Sequence, residues 1–530
     1  VLLFGLVPIV GFSPNLADHW YEKWTAVHVC ACLIAIFWLI RSPQGLELPC
    51  LKKDERFLLY AAFLFYFLNI ALHFKDMMWL KFFDHVSFVV ILIFFYETFR
   101  EKNFDWITWI SLPALFALVF NLGFAGYQIF LNWNLGAIAT KSGVGTFSYA
   151  NTFSEGIALL WCLVIPLIFS RRRYYLPVLW VAGIGSILLV ALIQTRSIIF
   201  ATVAFLAWYS LKKYWRFVGF LTALILLFLP ARHEERFDLF DISLQLVSQN
   251  ILGVGIGSFG FSMISLAFEK SHMLRYLNQN IISESPHNEF LKFAVENGIS
   301  FSLLMSGLLL LVWKRAVGAM SKSQAASDYL IIQALTFTLV FQANFQFPFD
   351  SPFGFLGIAT FMALLLRERP PVVFAGHTQA AACAAFLLSV ALVGSTFLYY
   401  YLHQKSPRVS KHPKLDGKLC EISSEFFDKC LDLSLYYRLN GDHLSATRPL
   451  IDGLRMQPNN FILYRELINV RSQIEGMDQC EDVWTLSHLM GTKLGSQDAC
   501  FKLSQGSAQK RWDHYLQRIS QITKESSNTQ

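Results

Sequence analysis

The residues best suited to chemistry gather in and beside one polar stretch, 231–299, which separates two apolar runs. His287 follows Ser285-Pro286 and precedes Asn288-Glu289-Phe290-Leu291, so it lies where a helix begins and either it or Asn288 serves as the cap. An imidazole there can accept a proton near neutral pH, its unperturbed pKa being about 6.5. A bystander imidazole beside an Asn cap, or a buried histidine bonded to backbone, is the plainer alternative. Asn288 and Glu289 stand where they could orient the imidazole or an acceptor. Arg236, just past an apolar run, and Arg196, in the turn "LIQTRSIIFAT" between two others, are placed to clamp phosphate oxygens by bidentate, charge-assisted bonds. Gly253, Gly255 and Gly257 alternate in "GVGIGSFG", letting backbone approach another group closely or adopt dihedrals closed to other residues. The run has neither the βαβ setting of a dinucleotide fingerprint nor the Lys-Ser/Thr of a P-loop, and by itself reads as a tight turn. Asp238 with Asp241, or His233 with Glu234 and Glu235, could in principle hold a cation, but an exposed acidic helix face explains them more simply. No metal and no cofactor are expected.

The elements that must position these residues are membrane helices. Of 530 residues, 55% are hydrophobic and only 15% charged, against roughly 25% charged for a soluble domain. Apolar runs of spanning length recur up to Tyr401. They fall near Val1–Phe12, Trp24–Ile40, Phe57–Leu72, Leu80–Tyr96, Trp106–Phe130, Thr152–Ser170, Leu176–Gln194, Ser197–Leu211, Phe217–Leu229, Ser300–Trp313, Tyr329–Phe345, Gly354–Leu366 and Ala380–Tyr401. The fold class is therefore an all-α polytopic membrane protein of about 12–13 spans. Residues 1–402 form the membrane domain and 403–530 a polar helical tail. The first run is shorter than a span and begins at Val1, so the N-terminus reads as truncated; no cleavable signal is apparent.

Orientation follows from the basic clusters. Lys52–Lys53, Arg171–Arg173, Lys212–Lys213 with Arg216, Lys314–Arg315 and Arg367 with Arg369 all land on one side, which the positive-inside rule makes cytoplasmic. The net charge of +7 thus sets topology and does not point to nucleic acid. The stretch 231–299 and the tail then lie outside, which in a bacterium means the periplasm or the outer surface. Cys420, Cys430, Cys480 and Cys500 suit disulfides there, whereas Cys30, Cys32, Cys50, Cys162 and Cys383 read as small buried thiols. Within the tail, Ala446–Met456, Asn460–Ile474 and Asp478–Met490 have helical periodicity, and "MQPNN" between the first two suggests a tetratricopeptide-like hairpin or a small helical domain. The stretch 231–299 predicts an amphipathic helix carrying Phe237, Phe240, Ile242, Leu244, Leu246 and Val247, then the glycines. A second helix bears Phe290, Leu291, Phe293, Ala294 and Val295 on its apolar face and closes at Gly298.

The succession "QTRS", "ER", "GVGIGSFG", "HNEFLKFAVENGI" and "FQFPFDSP", over roughly 147–366, resembles the O-antigen ligase and polymerase superfamily. That resemblance implies a metal-independent membrane glycosyltransferase taking a glycan from undecaprenyl diphosphate at the periplasmic face of the inner membrane. Arg196 and Arg236 match the family's diphosphate-binding arginines and His287 its histidine. Lipid A core is the expected acceptor, in lipopolysaccharide biosynthesis. A growing glycan (a polymerase) or a protein Ser/Thr (an O-oligosaccharyltransferase) uses the same donor chemistry. A transporter of lipid-linked glycan is the rival of a different class, but the sequence shows none of the matching halves typical of transporters.

Overall fold

The computed structural model describes residues 2–8, 20–40, 46–73, 79–101, 104–134, 142–144, 147–169, 175–193, 233–259, 262, 288–320, 331–336, 338–339, 351–374, 377–402, 413–414, 417, 420, 427–456, 461–471 and 473–474. The chain is mostly helical. In order come α1 (Trp20–Ile40), β1 (Leu46–Pro49), α2 (Lys53–Leu72), α3 (Trp79–Arg100), α4 (Leu112–Asn134), β2 (Ser142–Val144), β3 (Phe147–Tyr149), α5 (Ala150–Phe169) and α6 (Leu176–Ile193). These are followed by α7 (His233–Gln249), α8 (Glu289–Asn297), α9 (Ile299–Met320), α10 (Pro352–Leu366), β4 (Pro371–Phe374) and α11 (His377–Leu402). The tail contributes α12 (Phe427–Leu439), α13 (His443–Met456) and α14 (Phe461–Arg471).

Among the described residues, five helices are long and apolar enough to cross a bilayer: Lys23–Ile40, Lys53–Leu72, Lys81–Arg100, Ile107–Gln128 and Ile299–Gly318. Many of their large apolar side chains face outward, among them Phe57, Phe67, Phe116 and Leu303, as helices solvated by lipid require. This is the architecture of a helical membrane protein. The expected spans Ser197–Leu211 and Phe217–Leu229 lie outside the described residues. Within the first apolar run, the described residues hold a short π-helix, Leu2–Leu6, packed against the bundle through Leu3, Phe4 and Val7.

Two ends of the bundle can be told apart by their chemistry. At one, β1 pairs antiparallel with β4, in register Leu46 to Phe374 through Pro49 to Pro371. There the carboxylate of Glu55, fully buried, accepts from Arg315 (2.6 Å) and Arg369 (2.6 Å) and also from the backbone N–H of Lys52 (2.8 Å). Glu47 pairs with Arg100, and Glu97 accepts from the Trp38 indole. Three of the basic clusters, around Lys52, Arg315 and Arg369, therefore occupy one end. Glu55 also explains why α2 begins at Lys53 and not at Phe57: its carboxylate caps the first turn and the arginines offset its burial.

At the opposite end, α2 finishes at Leu72 and α9 starts at Ile299; the two helices pack antiparallel along their length. Here α7 and α8 sit against one another. Helix α7 buries Leu239, Ile242, Leu246 and Val247, a helical stripe, while Phe240 and Leu244 point outward, so its inner face differs from the expected one. The buried stripe belongs to one apolar cluster with Phe259, Ala294 and Val295, and with Cys420, Cys430, Leu450, Ile451, Leu463 and Leu467 of the tail. The loop helices and the tail thus share a core. In the tail, α12, α13 and α14 pack in sequence, and a disulfide joins Cys420 to Cys430. Asp478–Met490, Cys480 and Cys500 lie outside the described residues. Cys32 and Cys162 are buried thiols as expected, but Cys50 and Cys383 are exposed.

Candidate functional site

The candidate site is built where the glycine turn meets α8. Gly253, Gly255 and Gly257 all have positive φ, at 89°, 106° and 77°. The turn is stitched to the C-terminal end of α8 by Val254 N–H to Val295 O (2.9 Å) and Gly255 N–H to Glu296 O (3.1 Å), and Ile299 N–H returns to Ile251 O (3.2 Å). From α2, the Asn69 amide donates to Leu252 O (2.6 Å) and Glu296 O (3.1 Å). A Cβ on Gly253 would lie 2.5 Å from both Glu296 O and Gly298 N, so only glycine admits this approach. The glycines therefore shape the site by letting backbone meet backbone.

Helix α8 opens as the sequence requires. Asn288 is the N-cap, its side-chain oxygen accepting from Leu291 N–H (2.9 Å), and Gly298, at φ 90°, ends the helix. Asn288 is thus used in capping. Glu289 is buried, as are Lys292 and Glu296, while Phe290 is exposed, so this helix is enclosed on more sides than an amphipathic surface helix. Phe293 stacks on Phe301 of α9 and its ring lies 6.3 Å from that of His85 in α3.

His287 and Arg196 lie outside the described residues. Arg236 is on the first turn of α7, the helix packed on α8; its side chain is not described. The structure therefore brings Gly253, Gly255, Gly257, Asn288 and Glu289 into one unit and places the backbone of Arg236 on the helix that abuts it. Asp241, one of the acidic pair considered for a cation, accepts from Gln245 (2.6 Å) on the exposed side of α7.

Sequence reasoning missed a set of ionisable side chains inside the spans, in the half nearer this end. His28 of α1, 1% exposed, has its Nε2 3.0 Å from the Asp84 carboxylate of α3. Lys81 lies 3.9 Å from the same carboxylate and over the Trp24 ring. Lys23 donates to the carbonyls of Val7 (3.3 Å) and Pro8 (2.8 Å). The next residue of α3, His85, has its Nδ1 2.7 Å from the Tyr66 hydroxyl of α2. Across the bundle, Ser351, the N-cap of α10, donates to fully buried Glu155 of α5 (3.0 Å). Phe355, one turn on from Ser351, packs edge-on against Trp24 and Phe88. Charged groups within spans are costly, at about 2.5–3.5 kcal/mol each on insertion scales, and mark functional sites by default. "WYEKWTAVHV" and "KFFDHVSF" carried that signal.

A scan against protein-family models matches none, and no curated protein matches the chain significantly.

Proposed function

We propose that the chain is an O-antigen ligase-like glycosyltransferase of the bacterial inner membrane, which moves a glycan from undecaprenyl diphosphate to an acceptor hydroxyl, that of lipid A core, at the periplasmic face. The observation that carries this reading is the joint between the glycine turn and α8. It makes one unit of the described parts of the two motifs on which the resemblance rests, at the end of the bundle opposite Lys52, Arg315 and Arg369. The Cys420–Cys430 disulfide in the tail, which shares a core with the loop helices, suits an oxidising compartment at that end.

In this mechanism the anomeric carbon of the first sugar is attacked by the acceptor oxygen while its bond to the diphosphate breaks. The leaving group is already activated, so the protein's task is to neutralise charge on the departing oxygens, the role of Arg196 and Arg236. His287, which precedes the Asn288 cap in the sequence, takes the acceptor proton in this scheme. No metal is required in this scheme. The test is to incubate the purified chain, without divalent cations, with a fluorescent undecaprenyl-diphosphate oligosaccharide and three acceptors: lipid A core, unlabelled donor and a Ser/Thr-rich peptide. Label on lipid A core is the expected product. Label on the second or third acceptor replaces the ligase reading with a polymerase or a protein oligosaccharyltransferase, and no bond cleavage with any of them defeats the transferase reading.

A further inference from the structure

We propose that α2 carries a binding site for an anionic phospholipid, in the bilayer leaflet at the Glu55 end of the bundle; the inference stands apart from the transferase reading. Lys53, Arg56, Phe57, Tyr60, Leu64 and Phe67 recur at spacings of three and four, so they share one face of α2, and all of them are exposed. Glu55, Ala62, Tyr66 and Asn69 hold the opposite, buried face. Of the five spanning helices, α2 and α9 are the least enclosed by the protein. From Phe57 to Phe67 the apolar stripe runs about 15 Å at about 1.5 Å per residue, half of a hydrocarbon core of about 30 Å. It matches the acyl region of a single leaflet, with Lys53 and Arg56 one turn further out, at headgroup level.

The charges at this level select the headgroup. Asp54 accepts hydrogen bonds from Arg315, and Glu55 accepts from Arg315 and Arg369. Two carboxylates are thus matched by two guanidiniums. Lys53 and Arg56 remain as surplus charge, for among the described residues neither has an ion-pair partner. A groove of about 560 Å³ opens beside them, lined by Lys53, Asp54, Phe57 and Leu58, within the roughly 300–1,000 Å³ usual for ligand clefts. Its lining joins a cation to aromatic and aliphatic side chains, the order of polarity found along a phospholipid from phosphate to acyl chain. Asp54, the one carboxylate in that lining, has its charge offset by Arg315. The apolar stripe alone would accept any lipid, whereas surplus cations favour an anionic headgroup, by about fivefold for each Lys or Arg near the surface. The positive-inside tendency accounts for cations anywhere near this helix end; it does not require them on the stripe that faces lipid.

The test titrates the full chain, delipidated in a neutral detergent, with dioleoyl phosphatidylglycerol, dioleoyl phosphatidylethanolamine or glycerol 3-phosphate, and native mass spectrometry gives the Kd of the first molecule bound. Wild type is expected to bind phosphatidylglycerol at least about tenfold more tightly than either of the others, and less tightly as ionic strength rises. Lys53→Gln and Arg56→Gln should each weaken phosphatidylglycerol about fivefold and leave phosphatidylethanolamine unchanged, while Lys53→Arg keeps the wild-type Kd. Lys414→Gln, an exposed lysine of the tail, removes the same charge elsewhere and should have no effect. Both α2 positions are exposed, so these variants should match the melting temperature of wild type without lipid; a variant that does not is replaced by Lys53→Met, which keeps the apolar stem. Unchanged phosphatidylglycerol binding in the α2 variants overturns the proposal, as does an equal loss in Lys414→Gln, which would trace the effect to net charge. Equal affinity for phosphatidylethanolamine would reduce the stripe to ordinary lipid contact, and equal affinity for glycerol 3-phosphate would make the site one for a soluble anion; either result also overturns it.

Discussion

Replacing Gly253 by alanine should break the joint on which the site depends. The residue sits at φ +89°, and an added Cβ would lie 2.5 Å from Glu296 O, 2.5 Å from Gly298 N and 2.7 Å from Asn69 Nδ2. Two of these are backbone atoms, so relief requires the end of α8 to move. Holding a non-glycine residue in such a region costs of order 1–3 kcal/mol. Displacing Glu296 O also weakens the bonds it accepts from Gly255 N–H and the Asn69 amide, each worth about 0.5–1.5 kcal/mol net. The joint should therefore lose about 2–6 kcal/mol. Hydrogen exchange of the Val254 and Gly255 amides, which bond to Val295 O and Glu296 O, reads this directly and should accelerate at least about tenfold. Transfer should fall in parallel, since a misplacement of about 1 Å at a reacting group can cost roughly 10²-fold. Gly126→Ala in α4, where a Cβ meets nothing within 4 Å, is the control and should be neutral or stabilising by up to about 1 kcal/mol. Wild-type exchange and activity in Gly253→Ala would refute the reasoning.

Other outcomes follow from the tail. Removing the Cys420–Cys430 bond by a Cys430→Ser change should destabilise α12 to α14 by about 2–4 kcal/mol, visible as faster proteolysis of the tail with the membrane helices intact. Asp442 caps α13 by accepting from Ser445 N–H (3.0 Å), and the hydrogen bonds from Ser445 hold its carboxyl below the usual range. Its contribution is therefore complete above the unfolded carboxylate value, about 3.9, and disappears as pH falls through the lower folded value. Asp442→Ala should cost about 1 kcal/mol at neutral pH, and the gap in melting temperature from wild type should close in strong acid.

How much of this was legible in the sequence depends on how local each determinant is. The limits of α8 could be read because an Asn cap and a terminal glycine act within a turn of their own positions. The start of α2 could not, because Glu55 is made tolerable by Arg315 and Arg369, far away in the chain. The inner stripe of α7 was only partly right: Ile242, Leu246 and Val247 are buried, but Phe240 and Leu244 are apolar residues on its outer face, and hydrophobicity alone does not tell the two faces apart. Helix α12 escaped notice because charged and apolar residues alternate irregularly in "FDKCLDLSLYYRL". The glycines announced a close approach but not its partner, which is the end of α8. The His28–Asp84 pair, 56 residues apart, exists only through packing of α1 on α3. Its two halves were nevertheless visible as ionisable residues in apolar runs, a signal that went unused.

The most direct test of glycosyl transfer as opposed to transport is reconstitution of the chain in sealed vesicles with labelled undecaprenyl-diphosphate oligosaccharide and lipid A core. The expected result is cleavage of the sugar–diphosphate bond with label appearing on the core glycolipid, abolished by Arg236→Ala and His287→Ala. Movement of intact donor across the bilayer without bond cleavage would contradict it.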